Sequence, residues 1–380
     1  MSLNHSPSVV TNGLVLYTDM SNTQKSWKGK PTTNITPDLG IVQVQSVSCT
    51  YIGVEDGWKK YALNGTWTAG TYPYAFAVDA FTCTGGVMYS TGIYVKTNVA
   101  PKFAALFTGM NYVNAAMDNA GTSFSITQSD GSIFVGRYGF QYTGTSGQNG
   151  YLVSQPVINQ VFNSATDFLY IKSGQIEQNS FCSPFVAGTR SNTQAIVDLT
   201  GNNTLTANSL TYASDGTFSF NGSNDKITLN TNTLISGASN YTIDVAFKTS
   251  ANSTDYIFGN YGTTAGATGG LEYYVWQSKL NNYIAGNTQS ATTLNVGQWY
   301  IASVTRLGST ITHYLNGVAD GSSTNGASIS ATNPFTIGNA HDYTSEAFGG
   351  TIGAIKVYNR ALSAAEVSQN FQALRGRYGI

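Results

Sequence analysis

FGGTIGAIKVYNRALSAAEVSQNFQALRGRY, residues 348–378, contains one strand, one helix and a marked boundary between them. From Thr351 to Tyr358, the apolar positions Ile352, Ala354, Ile355 and Val357 read as a strand. Asn359-Arg360-Ala361-Leu362 interrupts it. Ser363 then sits as a helix N-cap, and Glu366, three residues on, completes a capping box. In that arrangement each side chain takes a backbone N–H that the first helical turn leaves without a partner. Over Ala364 to Leu374, Val367, Phe371 and Leu374 fall four and three apart, on one helical face. The expectation is a β-rich chain that closes with a single short helix.

Working back from that stretch, the second half resolves strand by strand. Tyr241, Ile243, Val245 and Phe247 alternate as in a half-buried strand. Val296 to Val304 (VGQWYIASV) and Thr310 to Leu315 follow, with Asn316-Gly317 at the next turn. A type I′ hairpin turn needs positive φ at both central residues, which Asn-Gly supplies. Phe220 to Ile227 (FNGSNDKI), Phe335 to Asn339 (FTIGN) and the turn Asp198 to Asn203 (DLTGNN) complete the set, with Tyr256-Ile257-Phe258, Leu271 to Trp276 and Asn282 to Ile284 as shorter strands. In this order the elements resemble the laminin-G-like, concanavalin A-like jelly roll. The resemblance implies a binding module rather than a catalyst.

The same family opens on a strand like Val10 to Met20 (VTNGLVLYTDM), closely followed by a DLTGNN-type turn. Here that turn arrives only at residues 198–203. An insertion accounts for the delay: residues 1–33 with 191–380 form one discontinuous jelly roll, and residues 34–190 form a second domain in a surface loop. The alternative is that residues 1–33 are an independent arm. The insert reads as β, with strands at Thr71 to Val78, Gly86 to Ser90, Gly92 to Lys96, Lys102 to Phe107, Ser132 to Tyr138 and Leu169 to Ile176. Its end, Gly174 to Arg190 (GQIEQNSFCSPFVAGTR), resembles the closing phrase of carbohydrate-binding-module-like jelly rolls in bacteriophage virion proteins. The fold class is therefore expected to be all-β: two antiparallel jelly-roll sandwiches and one C-terminal helix.

Composition agrees with that class. Charged residues make up 10% of the 380, against roughly 25% in an average soluble protein. Glycine (41), tyrosine (24) and phenylalanine (18) are abundant, which suits pleated surfaces and tight turns. A net charge of −1 without a basic stripe gives no footprint for nucleic acid, and no apolar run is long enough to span a bilayer. The N-terminal MSLNHSPSVVTNG has no charged and apolar leader pattern, so no secretory signal is expected. With the phage-like phrase, the expectation is a virion protein assembled in the host cytoplasm, as a capsid decoration or fibre component. Other virion proteins are its expected partners, surface glycans are a further candidate, and a homotrimer, common for such proteins, is one assembly open to it. A purely structural cement and a free lectin are the alternatives. The Ser2 to Thr11 segment and the C-terminal Arg375 to Ile380 are candidate contacts for a neighbouring protein.

Catalysis is not expected. Retaining glycoside hydrolysis needs two carboxyl groups about 5 Å apart. The chain's five glutamates, Glu55, Glu177, Glu272, Glu346 and Glu366, include no two at strand-neighbour spacing. His5, His313 and His341 join no nucleophile or metal motif, and Cys49, Cys83 and Cys182 are expected to be buried free thiols. No cofactor is required. Calcium is the metal the family resemblance admits, with Asp225 and Asp342 as loop acids for it or, alternatively, as solvated side chains. For sugar binding the aromatic candidates are Tyr273, Tyr274, Trp276 and Tyr283, near Gln277, Asn281 and Asn282, with His341 in a nearby loop. Trp58, Trp67, Tyr72 and Tyr74 are the corresponding candidates in the insert. Alternation puts Tyr274 and Trp276 on one face and Tyr273 on the other, so core packing competes with binding for each of them.

Overall fold

A computed structural model describes residues 8–21, 26, 32–33, 41–44, 47–68, 76–82, 84, 86–111, 122–127, 130–141, 149–178, 189–212, 218–235, 237, 240–250, 254–262, 269–330, 332–341 and 346–380. Among the described residues the chain is all-β apart from a 3-10 turn at Ala100–Lys102 and one C-terminal helix, and its sheets are antiparallel. It divides into two compact units, Met1–Lys30 with Ser191–Ile380, and Pro31–Arg190.

The first unit has two sheets. The eight-stranded sheet runs in the order Thr211–Tyr212, Phe218–Asn221, Gly349–Tyr358, Asn240–Thr249, Tyr300–Leu307, Thr310–Leu315 and Val318–Thr324, and Leu14–Asp19 joins it on Gly349–Tyr358. The seven-stranded sheet runs Leu205–Asn208, Lys226–Leu229, Thr336–Ile337, Asp255–Gly259, Glu272–Trp276, Lys279–Tyr283 and Asn287–Gln289. Ile243, Val245, Phe247 and Ile355 from the first sheet meet Ile227, Tyr273, Val275, Leu280 and Ile337 from the second in one core. Each large aliphatic or aromatic side chain buried there contributes about 2 kcal/mol. The period-two alternation of 241–247 thus serves one core-facing row.

The helix spans Ala364–Tyr378 and packs Phe371, Leu374 and Tyr378 over the other face of the eight-stranded sheet, against Ala246, Ile301 and Ala354. Its capping box is complete: Ser363 accepts from the Glu366 N–H, and the Glu366 carboxylate accepts from the Ser363 N–H. The helix runs one turn past Leu374. Gly376 does not end it, because the apolar contact at Tyr378 lies beyond that glycine and outweighs a single weak helix former. Gly379, at φ 70°, ends it in the left-handed conformation that glycine adopts without strain.

Both terminal segments expected to contact a neighbour are engaged within this unit where they are described. Gln369 donates to the Ser8 carbonyl (2.8 Å), and the Val10 N–H donates to Asn370 Oδ1 (2.9 Å). Arg377 Nη1 lies 2.5 Å from the carboxylate of buried Asp19.

In the second unit a seven-stranded sheet has the order Val161–Phe162, Trp58–Thr66, Phe168–Glu177, Met88–Thr97, Ile133–Gln141 and Thr122–Thr127, with Val47–Glu55 also on Trp58–Thr66. A four-stranded sheet runs Ile41–Val44, Phe76–Thr82, Asn149–Pro156 and Phe103–Asn111. Residues expected as two strands, 86–90 and 92–96, form the single strand Met88–Thr97, which continues straight through Gly92. Thr32–Thr33 pairs with Thr189–Arg190, so the chain enters and leaves this unit side by side. Cys49 is a free, half-buried thiol whose ionisation burial pushes up, and Cys83 and Cys182 lie outside the described residues.

Candidate functional site

The site is built on the outer face of the seven-stranded sheet of the first unit. Glu272–Trp276 and Lys279–Tyr283 form a hairpin in which Glu272 stands opposite Tyr283, and Tyr274 opposite Asn281. Gln277 (φ 51°) and Ser278 (φ 58°) make its two-residue turn, with positive φ at both positions. Sequence reading placed this second strand at Asn282 to Ile284 and missed the turn, because neither residue is one of the usual left-handed formers. Tyr273 and Val275 face the core, which turns Glu272, Tyr274 and Trp276 outward.

Tyr274 and Tyr283 are half-buried on this face, and Trp276, 40% exposed, lies at its edge. The Tyr261 ring meets the Tyr283 ring edge-on at 5.7 Å. His341 adjoins them: its N–H donates to the Tyr261 carbonyl (3.3 Å), and its own carbonyl accepts from Lys226 Nζ (2.9 Å). Beneath them Tyr256 is fully buried and is hydrogen-bonded to Thr336 (3.4 Å). Gly259, opposite Glu272, makes room for this arrangement. A Cβ there would stand 2.0 Å from the Leu271 carbonyl oxygen and 2.8 Å from the Tyr256 hydroxyl.

The chemical centre is a carboxyl pair that the sequence did not reveal. The segment carrying Glu346 returns beside Asp255–Gly259, its carbonyl accepting from the Tyr256 N–H (2.8 Å), with Ala347 bridged to Tyr256. This brings the Glu346 carboxyl close enough to Glu272 for their charges to interact. Glu272 is 5% exposed, and its Oε1 is buried without a hydrogen-bond partner. Burial, and then the Glu346 charge, hold its carboxyl well above the usual carboxylate range, because two like charges side by side cannot both ionise out of water. Burial, with the same two glutamates, also pushes the Tyr274 phenol upward. Burial thus favours the protonated form of Glu272, and half-buried Glu346 is the member of the pair that solvent reaches. Beside tyrosine rings, that is a polar anchor next to an apolar platform.

This arrangement has a stability signature. A carboxyl whose folded-state pKa is raised contributes stability that is fully present below its unfolded value, near 4.5, and lost as pH rises towards the folded one. Glu272→Gln, which needs no proton, is therefore expected to be more stable than the parent at pH 8 by about 2 kcal/mol. The two proteins should converge below pH 5 in urea unfolding. An unchanged pH slope in the variant would show that Glu272 ionises freely in the fold.

The other sequence candidates fall elsewhere. Tyr273 is fully buried in the core, and so is Asn282, whose Oδ1 accepts from the Tyr241 hydroxyl (2.8 Å). Asn281 is committed to its hairpin, bonded to Lys279 and Asn287 (both 2.7 Å). Trp67, 2% exposed, packs in the core of the second unit. Trp58, 5% exposed, lies beneath lysine side chains, so neither tryptophan is an open sugar platform. Asp225 is not a solvated loop acid: it is 1% exposed and accepts from the Asn221 N–H (2.9 Å), which braces the 221–225 turn. Among the described residues no three His, Cys, Asp or Glu side chains cluster so as to hold a metal ion. Asp342, Tyr72 and Tyr74 lie outside the described residues.

Comparison with known proteins adds a family to this geometry. Residues 220–368 match the family model described as the concanavalin A-like lectin/glucanases superfamily. No curated protein matches the chain. Among solved structures, the chain is similar to domain 4 of AbnA, an extracellular arabinanase from Geobacillus stearothermophilus, in complex with arabinotriose. That match has 20% identity, 47% of this chain, 92% of that one and a TM-score of 0.38. It is also similar to a heptameric pentraxin from Limulus polyphemus (23% identity, 34% and 69% covered, TM-score 0.31). A third similar structure is the sialidase CBM40 of Ruminococcus gnavus bound to sialyllactose (15% identity, 36% and 83% covered, TM-score 0.33).

Proposed function

We propose that the first unit is a non-catalytic carbohydrate-binding domain whose ligand lies on the outer face of the seven-stranded sheet. The observation that carries this reading is the Glu272–Glu346 pair set among Tyr261, Tyr274 and Tyr283. A sugar ring has apolar C–H faces that suit tyrosine rings and hydroxyls that suit a half-buried carboxyl such as Glu346. The match of residues 220–368 to a lectin and glucanase superfamily points the same way.

Between lectin and glucanase, the pair itself favours the lectin. A hydrolase must hold its carboxyls apart, with the scissile bond or a water between them. Glu272 is instead 5% exposed, with Oε1 buried out of reach of a water. No cofactor is needed in this reading, and repeating the binding assay with and without EDTA tests whether calcium contributes. We place the domain, again as a proposal resting on the Gly174 to Arg190 phrase, on a virion, where many copies multiply weak single-site binding. Mass spectrometry of purified particles tests that placement.

The binding test is a neutral-oligosaccharide array followed by calorimetry on the best ligand. Tyr274→Ala and Tyr283→Ala are each expected to weaken binding about tenfold, the loss of roughly 1.4 kcal/mol of ring contact. Trp276→Ala, at the edge, should cost less. Undiminished binding in both tyrosine variants would move the site off this face.

A further inference from the structure

The outer face of the second unit's seven-stranded sheet carries a separate arrangement. Tyr61, Leu63, Ile93, Val95, Leu169 and Ile171 fill the core, so their strand neighbours Lys60, Tyr94, Lys96, Phe168, Tyr170 and Lys172 point the other way. Tyr170 stands between Lys60 on one neighbouring strand and Lys96 on the other. Lys60 Nζ lies 4.1 Å from the Phe168 ring centroid and 5.5 Å from that of Tyr170. Lys96 Nζ lies 5.0 Å from Tyr170 and 4.7 Å from Trp58, and Lys172 Nζ lies 5.6 Å from Trp58. The result is a continuous stripe in which rings and ammonium groups alternate across three strands.

The charges on this stripe do not balance. Lys60 is paired with Glu55 (2.7 Å), which also accepts from the Tyr170 hydroxyl (3.3 Å). Asp130 is close enough to feel Lys96, but its carboxylate accepts the Ser132 hydroxyl at 2.6 Å. Among the described residues neither Lys96 nor Lys172 has a carboxylate within ion-pair distance. The chain has 18 basic residues in 380, so three on one sheet face is a concentration, not a background. A ring under an ammonium group fixes its position and takes little of its charge. Lys60 and Lys96 stand two strand spacings apart, about 10 Å. They are held at that interval with half-buried Tyr170 between them.

We propose that this face binds an anionic polysaccharide, its carboxylates or sulfates on Lys96 and Lys172 and a sugar ring beside half-buried Tyr170. Tyr170 and Phe168 supply the apolar contact that a bare anion does not use, which favours a charged sugar chain over a simple ion. This site is independent of the one proposed in the first unit.

The test uses the full chain with polygalacturonate and dextran sulfate as carboxylate and sulfate probes, neutral dextran as control, and single-stranded DNA as competitor. The parent should bind at least one polyanion at low salt, progressively less as salt rises, and should not bind dextran. The double variant Lys96→Gln with Lys172→Gln should lose about tenfold in affinity, while Lys96→Arg with Lys172→Arg retains it. Matching thermal midpoints for the two variants would show that the loss is not unfolding. The proposal is overturned if the parent binds neither polyanion or if the glutamine variant binds as well as the parent. It is equally overturned if DNA displaces both probes at lower concentration than either polysaccharide.

Discussion

Lys356→Met is expected to cost about 3–5 kcal/mol of folding stability. Lys356 Nζ lies 2.7 Å from Asp244 Oδ1, and the two side chains are 0% and 1% exposed. Asp244 also accepts the Ser303 hydroxyl (2.9 Å) from the next strand, so lysine, aspartate and serine form one row across three paired strands. The row shares its face with Ala246, Ile301 and Ala354, which the helix covers. Removing the lysine alone leaves a carboxylate in this apolar layer with only a hydroxyl for company. Adding Asp244→Asn removes the stranded charge, keeps an acceptor for Ser303, and should recover most of the loss. Urea unfolding of both variants measures this. A single variant within about 1 kcal/mol of the parent would mean that water reaches Asp244 in the fold.

Asp198→Ala is expected to cost about 3–4 kcal/mol and to loosen the first strand selectively. The Asp198 side chain is 2% exposed and accepts from five donors. Oδ1 takes the N–H groups of Tyr17 and Thr200 (both 3.0 Å). Oδ2 takes the Thr200 hydroxyl (2.7 Å), the Asn203 N–H (3.1 Å) and the Asn203 amide (2.7 Å). The Leu199 N–H returns a bond to the Tyr17 carbonyl (2.7 Å). One carboxylate thus ties the strand that precedes the second unit to the turn that follows it. Truncation leaves several half-buried donors without their shared acceptor at once. In hydrogen exchange, the amides of Tyr17 to Asp19 should quicken by more than those of Ile243 to Phe247. Equal quickening in both strands would contradict this local role.

These residues also show what was legible in the sequence. Ser363 with Glu366, and Asn316 with Gly317 (φ 50° and 78°), are written in local chemistry, and local chemistry survives folding. So does the alternation that sends Tyr273 inward and Tyr274 outward. What was not legible depended on distant segments meeting. Glu272 and Glu346 are unremarkable one at a time; only the return of the 346–348 segment beside Asp255–Gly259 makes them a pair. Tyr261 joined the site by the same route, through contacts to Tyr283 and His341. The rarity of glutamate was the signal available: with five in the chain, one placed inside a strand of aromatic residues warranted a search for its partner. Trp58 shows the opposite case, since lysine side chains from other strands cover its ring, which no local pattern reveals.

The measurement that bears most directly on the carbohydrate site is a crystal structure of the chain with the tightest-binding neutral oligosaccharide from the array. The account predicts sugar density against the rings of Tyr274 and Tyr283, with one hydroxyl bonded to the Glu346 carboxyl. Density confined to the loops at the rim of the sandwich, with the Glu272–Glu346 face free of sugar, would contradict it.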